Sequence, residues 1–440
     1  MIRMLLSKDF FKCSFFFSLF YVGLLPAAFC ASLSATESQL QQYIKQHQTQ
    51  QLVLLKQLVN INSGTSNISG VNRIAARLSP LFKQLGFNVR LVAEPNSMQR
   101  GKMLIAERTG TQGKRLLLIG HLDTVFPRQS SFQRFELKKN SATGPGVIDD
   151  KGGLVVMLYA LKALQATHSL DNKQITIVLT GDEEDSGKPT SISRQPLMSA
   201  AKNRDVALDF EPAITMDTAT IARRGISMWT LETHGNESHS ASIFNKGVGD
   251  GAIFELSRIL NTMRTELQKE KYLTFNPGIV VAGTAIAFNK KLSQGTAFGK
   301  ENIISKIAVT KGDLRFLSVA QQKSAETKML DMVKQSLPGT KASISFQDGI
   351  PAMPPTAENI NLLEQYSRVS LDLDQGVIKG LDPALRGAGD ISHIASMVPA
   401  KLSGLGPLGD GAHSVNERIE LASLPVQTTR AAILIYRLTN

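Results

Sequence analysis

Short continuous apolar runs alternate along the chain with segments of helical periodicity. The runs cover residues 115–120, 174–180, 205–210 and 400–405, and each is typical of a strand buried on both faces of a sheet. Residues 152–164 follow a helical pattern between the first two runs. This alternation predicts an α/β fold in which helices cover a central mixed sheet.

Two helices are also expected before these strands. Residues 37–59 form one amphipathic pattern, and residues 71–85 form a second one that ends at Gly86. Ahead of them, residues 1–30 have a different character, with an early basic stretch followed by a long apolar one. The folded chain is therefore expected to start at about residue 31.

The pattern changes at about residue 218, where longer strands with alternating polarity replace the buried runs. These strands are expected at residues 226–233, 279–288 and 303–316, with helices at 250–269 and 319–337. The earlier type of pattern returns only after Pro351. The sequence thus predicts a discontinuous catalytic domain (31–217 and 351–440) that is interrupted by an inserted α+β domain (218–350).

Histidines and carboxylates follow the predicted buried strands, where an unpaired polar group is costly. They are His121, Asp149, Glu183, Glu184, Glu211 and His413. In open α/β sheets, ligands bind beyond the carboxyl ends of the strands. A pair of divalent ions needs one bridging carboxylate and further imidazole or carboxylate ligands on each side. The set therefore predicts a two-metal hydrolase.

Asp123 supports the assignment of His121, because a carboxylate two positions on can accept the second ring N–H and fix the tautomer. Taken alone, each residue has a simpler explanation. A single histidine is more often a hydrogen-bonded side chain, and Glu183-Glu184 would suit a solvated loop. Asp149 would suit a turn after Gly144-Pro145-Gly146. The combination behind several separate strands favours the metal site.

At these residues the chain resembles the M20 family of metallopeptidases, most closely its glutamate carboxypeptidase branch. The motifs that carry the resemblance are His-x-Asp-Thr-Val, Gly-Pro-Gly-x-x-Asp-Asp-Lys-Gly-Gly, Asp-Glu-Glu, Phe-Glu-Pro and Gly-x-x-His-Ser. They occur in this order across almost the whole chain after residue 30. The resemblance implies a zinc-peptidase catalytic domain with a central mixed sheet, and a lid and dimerisation role for the inserted domain.

The same resemblance implies a role for each ligand. Asp149 would bridge two zinc ions, with His121 and Glu211 completing one site and Glu184 and His413 the other. Glu183 would act as the general base. Cobalt or manganese can also occupy such ligands, because imidazole and carboxylate accept several divalent metals.

Three further residues match substrate-side positions of the family. His239, in Glu-Ser-His-Ser-Ala, would stabilise the oxyanion in a partner subunit's site, with His234 as a rival. Asn302 would contact the substrate, although Ser305 replaces the expected proline. Arg386 would bind the substrate's α-carboxylate, unless it forms a structural ion pair. A homodimer is implied by the proposed role of His239.

The N-terminal 30 residues have the pattern of an export signal. Arg3, Lys8 and Lys12 precede an apolar run at residues 13–29, and Ala28-Phe29-Cys30 provides small residues at the positions that a signal peptidase recognises. An uncleaved anchor is the alternative, for which the run is slightly short. The expected product is periplasmic or secreted, and it has no membrane span after processing.

Composition narrows the partners and the chemistry. Both cysteines, Cys13 and Cys30, lie in the predicted signal, so the mature chain would hold neither disulfides nor thiolate ligands. The net charge of +12 is spread along the chain, and no basic run is interleaved with aromatics, so no nucleic-acid partner is expected. A basic surface would suit acidic substrates.

Two classes of function remain. One is a zinc amidohydrolase acting on a small peptide to release a C-terminal residue such as glutamate, or on an N-acyl amino acid. The other is an exported binding protein without catalytic activity. The retention of Glu183 beside a complete ligand set favours the enzyme.

Overall fold

The computed structural model describes residues 33–440. The predicted signal peptide at residues 1–30 lies outside this range. Among the helices that the structure describes, none combines the length and the apolar character needed to cross a bilayer.

The helices are α1 (Ala35–Gln46), α2 (Gln48–Val59), α3 (Ile68–Gln84), α4 (Lys151–Ala166), α5 (Thr190–Ser193), α6 (Gln195–Ala201), α7 (Ala252–Leu267), α8 (Val319–Lys334), α9 (Ala357–Asp372) and α10 (Ser423–Thr439). The strands are β1 (Asn88–Val92), β2 (Met103–Arg108), β3 (Gln112–His121), β4 (Glu136–Leu137), β5 (Ser141–Thr143), β6 (Lys173–Thr180), β7 (Val206–Asp209), β8 (Thr218–Ala219), β9 (Gly225–His234), β10 (Thr274–Gly283), β11 (Ala285–Asn289), β12 (Gln294–Phe298), β13 (Ile307–Phe316), β14 (Lys341–Asp348), β15 (Lys379–Gly380), β16 (Ala400–Ser403), β17 (Gly409–Asp410) and β18 (Arg418–Glu420).

A six-stranded sheet in the order β1-β2-β6-β3-β7-β16 lies at the centre of the predicted catalytic domain. Strands β6, β3, β7 and β16 are parallel to one another. Strands β2 and β1 extend one edge in antiparallel pairing. The sheet is therefore mixed, as the sequence predicts, and the carboxyl ends of its four parallel strands lie along one edge.

Apolar side chains cover both faces of this sheet. On β3, Leu116 and Leu118 belong to a large core that includes α3, α4 and α10. Leu117 and Ile119 point to the opposite face and pack in a second core with α6. Because successive strand residues face opposite sides, a strand covered on both faces has an unbroken apolar run. This explains the run at residues 115–120.

The inserted domain has its own antiparallel sheet in the order β10-β13-β9-β14. Its core joins Trp229 and Leu231 of β9 to Ile259 of α7 and Met329 of α8. The other face of β9 is only partly buried, so its burial alternates along the strand. Such alternation is the physical basis of the period-two pattern in the sequence.

Two predicted elements are divided in the structure. The single helix expected at residues 37–59 is two helices, because His47 leaves the helical conformation (φ −110°, ψ 18°). The strand expected at residues 279–288 is also divided. Pairing of β10 with β13 stops at Gly283, and β11 then pairs with β12 in a separate hairpin.

Candidate metal centre

Three adjacent parallel strands bring their ligand candidates to the same edge of the central sheet. His121 is the last residue of β3, Glu211 lies two residues beyond β7, and Glu184 lies four residues beyond β6. Since β6, β3 and β7 are neighbours in the sheet, their carboxyl ends meet. All three side chains are almost fully buried.

Asp149 and His413 reach this edge from a second, smaller sheet in the order β17-β18-β5-β4. Asp149 lies between β5 and α4, and His413 lies in the hairpin between β17 and β18. The sequence places His413 in a loop after the buried run at residues 400–405. In the structure, however, the antiparallel pairing of β18 with β5 brings its hairpin to Asp149.

The five side chains form two groups that share Asp149, and we call them the ligand cluster (His121, Asp149, Glu184, Glu211 and His413). Asp149 Oδ1 lies 2.9 Å from His121 Nε2, and Asp149 Oδ2 lies 3.1 Å from His413 Nε2. Glu211 Oε1 is 4.0 Å from His121 Nε2, and Glu184 Oε2 is 3.2 Å from His413 Nε2.

This donor set fits a pair of divalent ions. In each group, the potential ligand atoms all lie within 4.8 Å of one another. The two oxygens of Asp149 face different histidines, which is the arrangement expected of a bridging carboxylate. Imidazole and carboxylate ligands without thiolates suit zinc and other first-row divalent metals.

The pKa values in the ligand cluster are shifted because its ionisable side chains lie close together. Hydrogen bonds to Asp149 and Glu184 raise the pKa of His413 to about 11. Burial lowers the pKa of His121, but contacts with Asp123 and Asp149 outweigh burial and leave it well above the usual value. Burial alone would raise the pKa of Asp149, yet the two histidines hold it below its usual range. The site therefore concentrates carboxylates, whose negative charge divalent cations would balance.

Asp123 organises the neighbouring strand ends. It is fully buried, and its Oδ1 lies 3.3 Å from His121 Nδ1. The same carboxylate accepts hydrogen bonds from the backbone N–H groups of Glu183 (3.0 Å) and Glu184 (3.2 Å). Thr65 Oγ1 donates a further hydrogen bond of 2.6 Å. Asp123 thus orients His121 and also holds the Glu183-Glu184 turn.

Glu183 lies in the same turn as the ligand Glu184 but outside both groups of ligand atoms. Burial and the negative charge of Glu211 raise its pKa well above the usual value for a glutamate. A carboxylate of high proton affinity that is not needed as a ligand has the properties of a general base.

Two arginines lie beside Glu211. Arg386 Nη1 is 3.6 Å from Glu211 Oε2, and its Nη2 donates to the carbonyl of Pro212. Arg223, which the sequence analysis does not single out, places Nη2 at 3.7 Å from the same carboxylate oxygen. Arg386 thus adjoins the ligand cluster, and part of its charge is already balanced by Glu211.

His239 and Asn302 lie together on the inserted domain, and we call this pair the insert edge. An isolated bridge pairs His239 with Ile303, and Ser240 N–H donates to the carbonyl of Asn302 (2.8 Å). Both residues are exposed. Among the hydrogen bonds and ion pairs of residues 33–440, none connects the insert edge to the ligand cluster. The chain's own fold thus brings these two residues together, but it does not join them to the ligands.

Three buried residues that the sequence analysis does not single out adjoin the site. Glu417 accepts hydrogen bonds from the backbone N–H groups of Gly146, Ile148 and Asp149 at 2.8 to 3.1 Å, and burial raises its pKa to about 7. Asp150 accepts from the N–H of His121 (3.1 Å), and the Nζ of Lys151 donates to the carbonyls of Ile61 and Pro145 (3.0 Å each). Asp150 and Lys151 belong to the motif Gly-Pro-Gly-x-x-Asp-Asp-Lys-Gly-Gly, which was the available sequence signal. Glu417 lies in no such motif.

Comparison with known proteins agrees with this geometry. The profile of peptidase family M20/M25/M40 matches residues 117–437. Carboxypeptidase G2 of Pseudomonas sp. (strain RS-16) is 28% identical over 386 residues, which is 87% of each chain. A succinyl-diaminopimelate desuccinylase of Magnetococcus marinus (strain ATCC BAA-1437 / JCM 17883 / MC-1) is 25% identical over 344 residues, 75% of this chain and 85% of the relative. The solved structure of aminopeptidase PepT from Bacillus cereus ATCC 10987 superimposes with a TM-score of 0.72 at 17% identity, covering 89% of this chain and 99% of that one.

Proposed function

The chain belongs to peptidase family M20/M25/M40, and from this premise we propose that it is an exported di-zinc exopeptidase. The reaction would hydrolyse a C-terminal amide bond and release an amino acid such as glutamate. Membership of the family makes the protein a metal-dependent hydrolase acting on peptides or acylated amino acids. The choice of zinc, the released residue and export are parts of our proposal.

The observation that carries the proposal is the position of Asp149 between two histidines, with a carboxylate completing each group. Such a shared carboxylate is needed to hold two ions close together. His121 and Glu211 would hold one ion, and Glu184 and His413 the other. When bound, the two ions supply Lewis acidity and make a water molecule easier to deprotonate.

The chain's own residues would then handle the proton and the substrate. Glu183 takes a proton from the attacking water as the new C–O bond forms, and it returns this proton to the amine as the C–N bond breaks. Asp123 keeps Glu183 in place through the backbone hydrogen bond of 3.0 Å. Arg386 binds the α-carboxylate of the residue that leaves. His239 would stabilise the developing oxyanion from a partner subunit.

A C-terminal amino acid is the favoured leaving group for two reasons. The relative that aligns over 87% of the chain is named as a carboxypeptidase. Arg386 also places a guanidinium beside the ligand cluster, where it can pair with a free carboxylate. Glutamate is the first residue to test, because the net charge of +12 favours the approach of acidic molecules.

An N-acyl-amino-acid deacylase is the second candidate. It is favoured by the similarity to a succinyl-diaminopimelate desuccinylase, whose name describes removal of an acyl group. The bond is again an amide, so the same base and ligands would serve, and the two candidates differ in the groups on either side of it. A non-catalytic binding protein, the alternative considered from the sequence, would not need Glu183, and it conflicts with membership of a hydrolase family.

The test is amino-acid release from dipeptides, glutamyl amides and N-acyl amino acids, with zinc-loaded wild type, Glu183→Ala and Asp185→Ala. Asp185 is an exposed carboxylate in the same turn and serves as the matched control. We expect Glu183→Ala to retain zinc and lose about 10²–10⁴-fold in turnover, because general-base catalysis contributes that much. Asp185→Ala should remain active.

Equal activity of wild type and Glu183→Ala would refute the assigned base. Binding of zinc and of a panel compound without turnover by wild type would favour the binding-protein reading. Export is tested separately by sequencing the N-terminus of the mature protein, which we expect to begin at about residue 31 after signal cleavage.

A further inference from the structure

A buried arginine lies next to the proposed base without belonging to the metal site. Arg194, between α5 and α6, has a fully buried side chain. Its Nη1 donates to Asp182 Oδ1 (2.7 Å), and its Nε donates to Asp390 Oδ1 (2.6 Å). Further hydrogen bonds reach the Asp182 carbonyl (2.9 Å), Ser186 Oγ (2.8 Å) and Ser193 Oγ (3.4 Å). These contacts match the five N–H donors of a guanidinium.

On one side, Arg194 shapes the turn that carries the base. Asp182 directly precedes Glu183, and Arg194 binds both its side chain and its main-chain carbonyl. The second oxygen of Asp182 accepts from the N–H of Gly187 (2.7 Å), which closes the turn. Two side chains therefore hold the turn that carries Glu183. Asp123 binds the backbone N–H of Glu183, and Arg194 acts through its hydrogen bonds to Asp182.

On the other side, Arg194 holds the segment that carries Arg386. Asp390 lies four residues after Arg386, at the start of a short 3₁₀ helix. Its second oxygen accepts a hydrogen bond from Thr180 Oγ1, at the end of β6. The same segment is fixed by Arg223, whose Nε donates to the carbonyl of Gly387 (2.8 Å). A side chain at Gly389 would collide with the Arg223 guanidinium at 2.6 Å.

A purely structural role is the simpler explanation of such a network. Buried ion pairs lose solvation, and well-packed apolar residues often replace them without loss of stability. Arg437 provides a comparison within this chain, because it also joins two carboxylates, Glu37 (2.6 Å) and Asp372 (2.8 Å). Neither of those carboxylates lies in the segments that carry the base or Arg386. The two partners of Arg194 lie in those two segments.

We propose that Arg194 is a positioning residue that couples the turn bearing Glu183 to the segment bearing Arg386. Glu183, which accepts the proton, and Arg386, which binds the substrate's carboxylate, would thereby stay at a constant distance from each other on either side of the scissile bond. This inference rests on the proposed function, in which Glu183 is the base and Arg386 binds the leaving residue. It adds a group that contacts neither substrate nor metal.

Arg194→Lys tests the coupling, because lysine keeps the charge but loses the planar fork that reaches both carboxylates. We expect kcat to fall about 10–100-fold and KM to rise, since small misplacements of reacting groups have effects of this size. Bound zinc should stay at the wild-type level. Arg437→Lys is the matched control and should leave both constants unchanged.

A double-mutant cycle with Arg386→Lys distinguishes coupling between Arg194 and Arg386 from a non-specific loss of activity. If Arg194 acts through Arg386, its replacement should raise KM much less in the Arg386→Lys background than in wild type. A substrate whose C-terminal carboxylate is amidated should lose the KM effect and keep the kcat effect. Additive changes in KM, or equal KM effects on both substrates, would overturn the proposal.

Amide hydrogen exchange provides a measurement that does not depend on activity. In Arg194→Lys, exchange should rise together in residues 183–187 and 387–394, and in Arg437→Lys it should rise in neither segment. A rise confined to one segment would overturn the coupling. If Arg194→Lys does not fold, Asp390→Asn replaces it, because this near-isosteric change weakens only the second half of the bridge.

These measurements distinguish the two proposals. If wild type releases nothing from any substrate, the proposed function fails, but the exchange experiment still decides whether Arg194 couples the two segments. If wild type is active and the cycle is additive, the function stands and the coupling fails.

Discussion

His413 and His239 are both exposed histidines on loops, yet their surroundings differ. His413 Nε2 lies 3.1 Å from Asp149 and 3.2 Å from Glu184, so it takes part in a charged cluster made by one chain. His239 Nδ1 accepts a hydrogen bond from the N–H of Ala241 in its own loop (3.2 Å). Its Nε2 makes no hydrogen bond to the other residues that the structure describes.

This difference indicates how each region would contribute to catalysis. The ligand cluster is set by strand order and by buried hydrogen bonds, so one folded chain is sufficient to form it. The insert edge presents His239 and Asn302 outward, and in the proposed function a partner subunit would complete it. We therefore expect changes in the ligand cluster to affect metal binding, and changes at the insert edge to affect turnover without loss of metal.

Removing the metal should have the largest effect. A chelator should abolish activity, and zinc should restore it. Neighbouring carboxylates raise the pKa of both cluster histidines above the usual value, which favours their protonated form before metal binds. Metal ligands must be unprotonated, so binding should release protons, measurable in weakly buffered solution.

The sign of the pH dependence follows from the same pKa values. Protons compete with zinc, so the affinity should fall as the pH is lowered. In the metal-free protein, a histidine with a raised pKa stabilises the fold fully below its unfolded value of 6.5. For His413, that contribution is lost as pH rises through about 11. Zinc binding without proton release would contradict this picture.

Replacing His239 should have the next largest effect. We expect His239→Ala to lose about 10²–10³-fold in kcat, the usual consequence of removing an oxyanion donor, and to retain its zinc. His234→Ala is the matched control, because His234 is exposed and is paired with Glu232 at 2.8 Å.

Mixing subunits sharpens this test. If His239 serves the partner's site, a dimer of one His239→Ala chain and one Glu183→Ala chain has one complete site. Random exchange should then restore about a quarter of wild-type activity, because half of the dimers are mixed and each has one of two sites. A fully active monomer, or no recovery after mixing, would refute the role across subunits.

Asp123→Asn should have a smaller effect than His239→Ala. It should lower both the zinc affinity and kcat. The asparagine loses the negative charge beside His121, and its amide N–H₂ would face backbone N–H groups of Glu183 or Glu184. Changes behind metal ligands typically cost about 10–100-fold in metal affinity or activity. Zinc titration and kcat should both change, whereas the insert-edge variant should change kcat alone.

Much of the fold was predictable because its signals are local. The strands β3 and β6 are buried on both faces, so their apolar runs predict them, and His121 and Glu184 follow as their adjacent polar residues. The order of β6, β3 and β7 then places those ligands together. The domain insertion was also visible, because strands with one exposed face alternate in polarity.

The rest depended on pairing between distant segments. The strands β17 and β18 are very short, and β18 pairs with β5, which lies far earlier in the chain. Glu417 directly precedes β18 and is buried against residues 146–149, whereas in the sequence Asn-Glu-Arg it resembles a solvated surface residue. Arg194 is similar, since both of its acidic partners lie outside its own helices.

Thr65→Val is expected to have the smallest effect. It tests how much a single hydrogen bond to Asp123 contributes to the arrangement of the ligand cluster. Valine keeps the shape of threonine but removes the 2.6 Å hydrogen bond to Asp123, whose carboxylate still faces His121 and the N–H groups of Glu183 and Glu184. Losing one such bond costs about 1 kcal/mol, so kcat should fall about fivefold at most, with zinc content unchanged. Thr215→Val is the control, because it removes a Thr–Asp hydrogen bond of similar length on the surface (2.7 Å to Asp217). A loss from Thr65→Val as large as that from Asp123→Asn would mean that Asp123 is oriented mainly by this hydroxyl, and that the neighbouring backbone N–H groups contribute little.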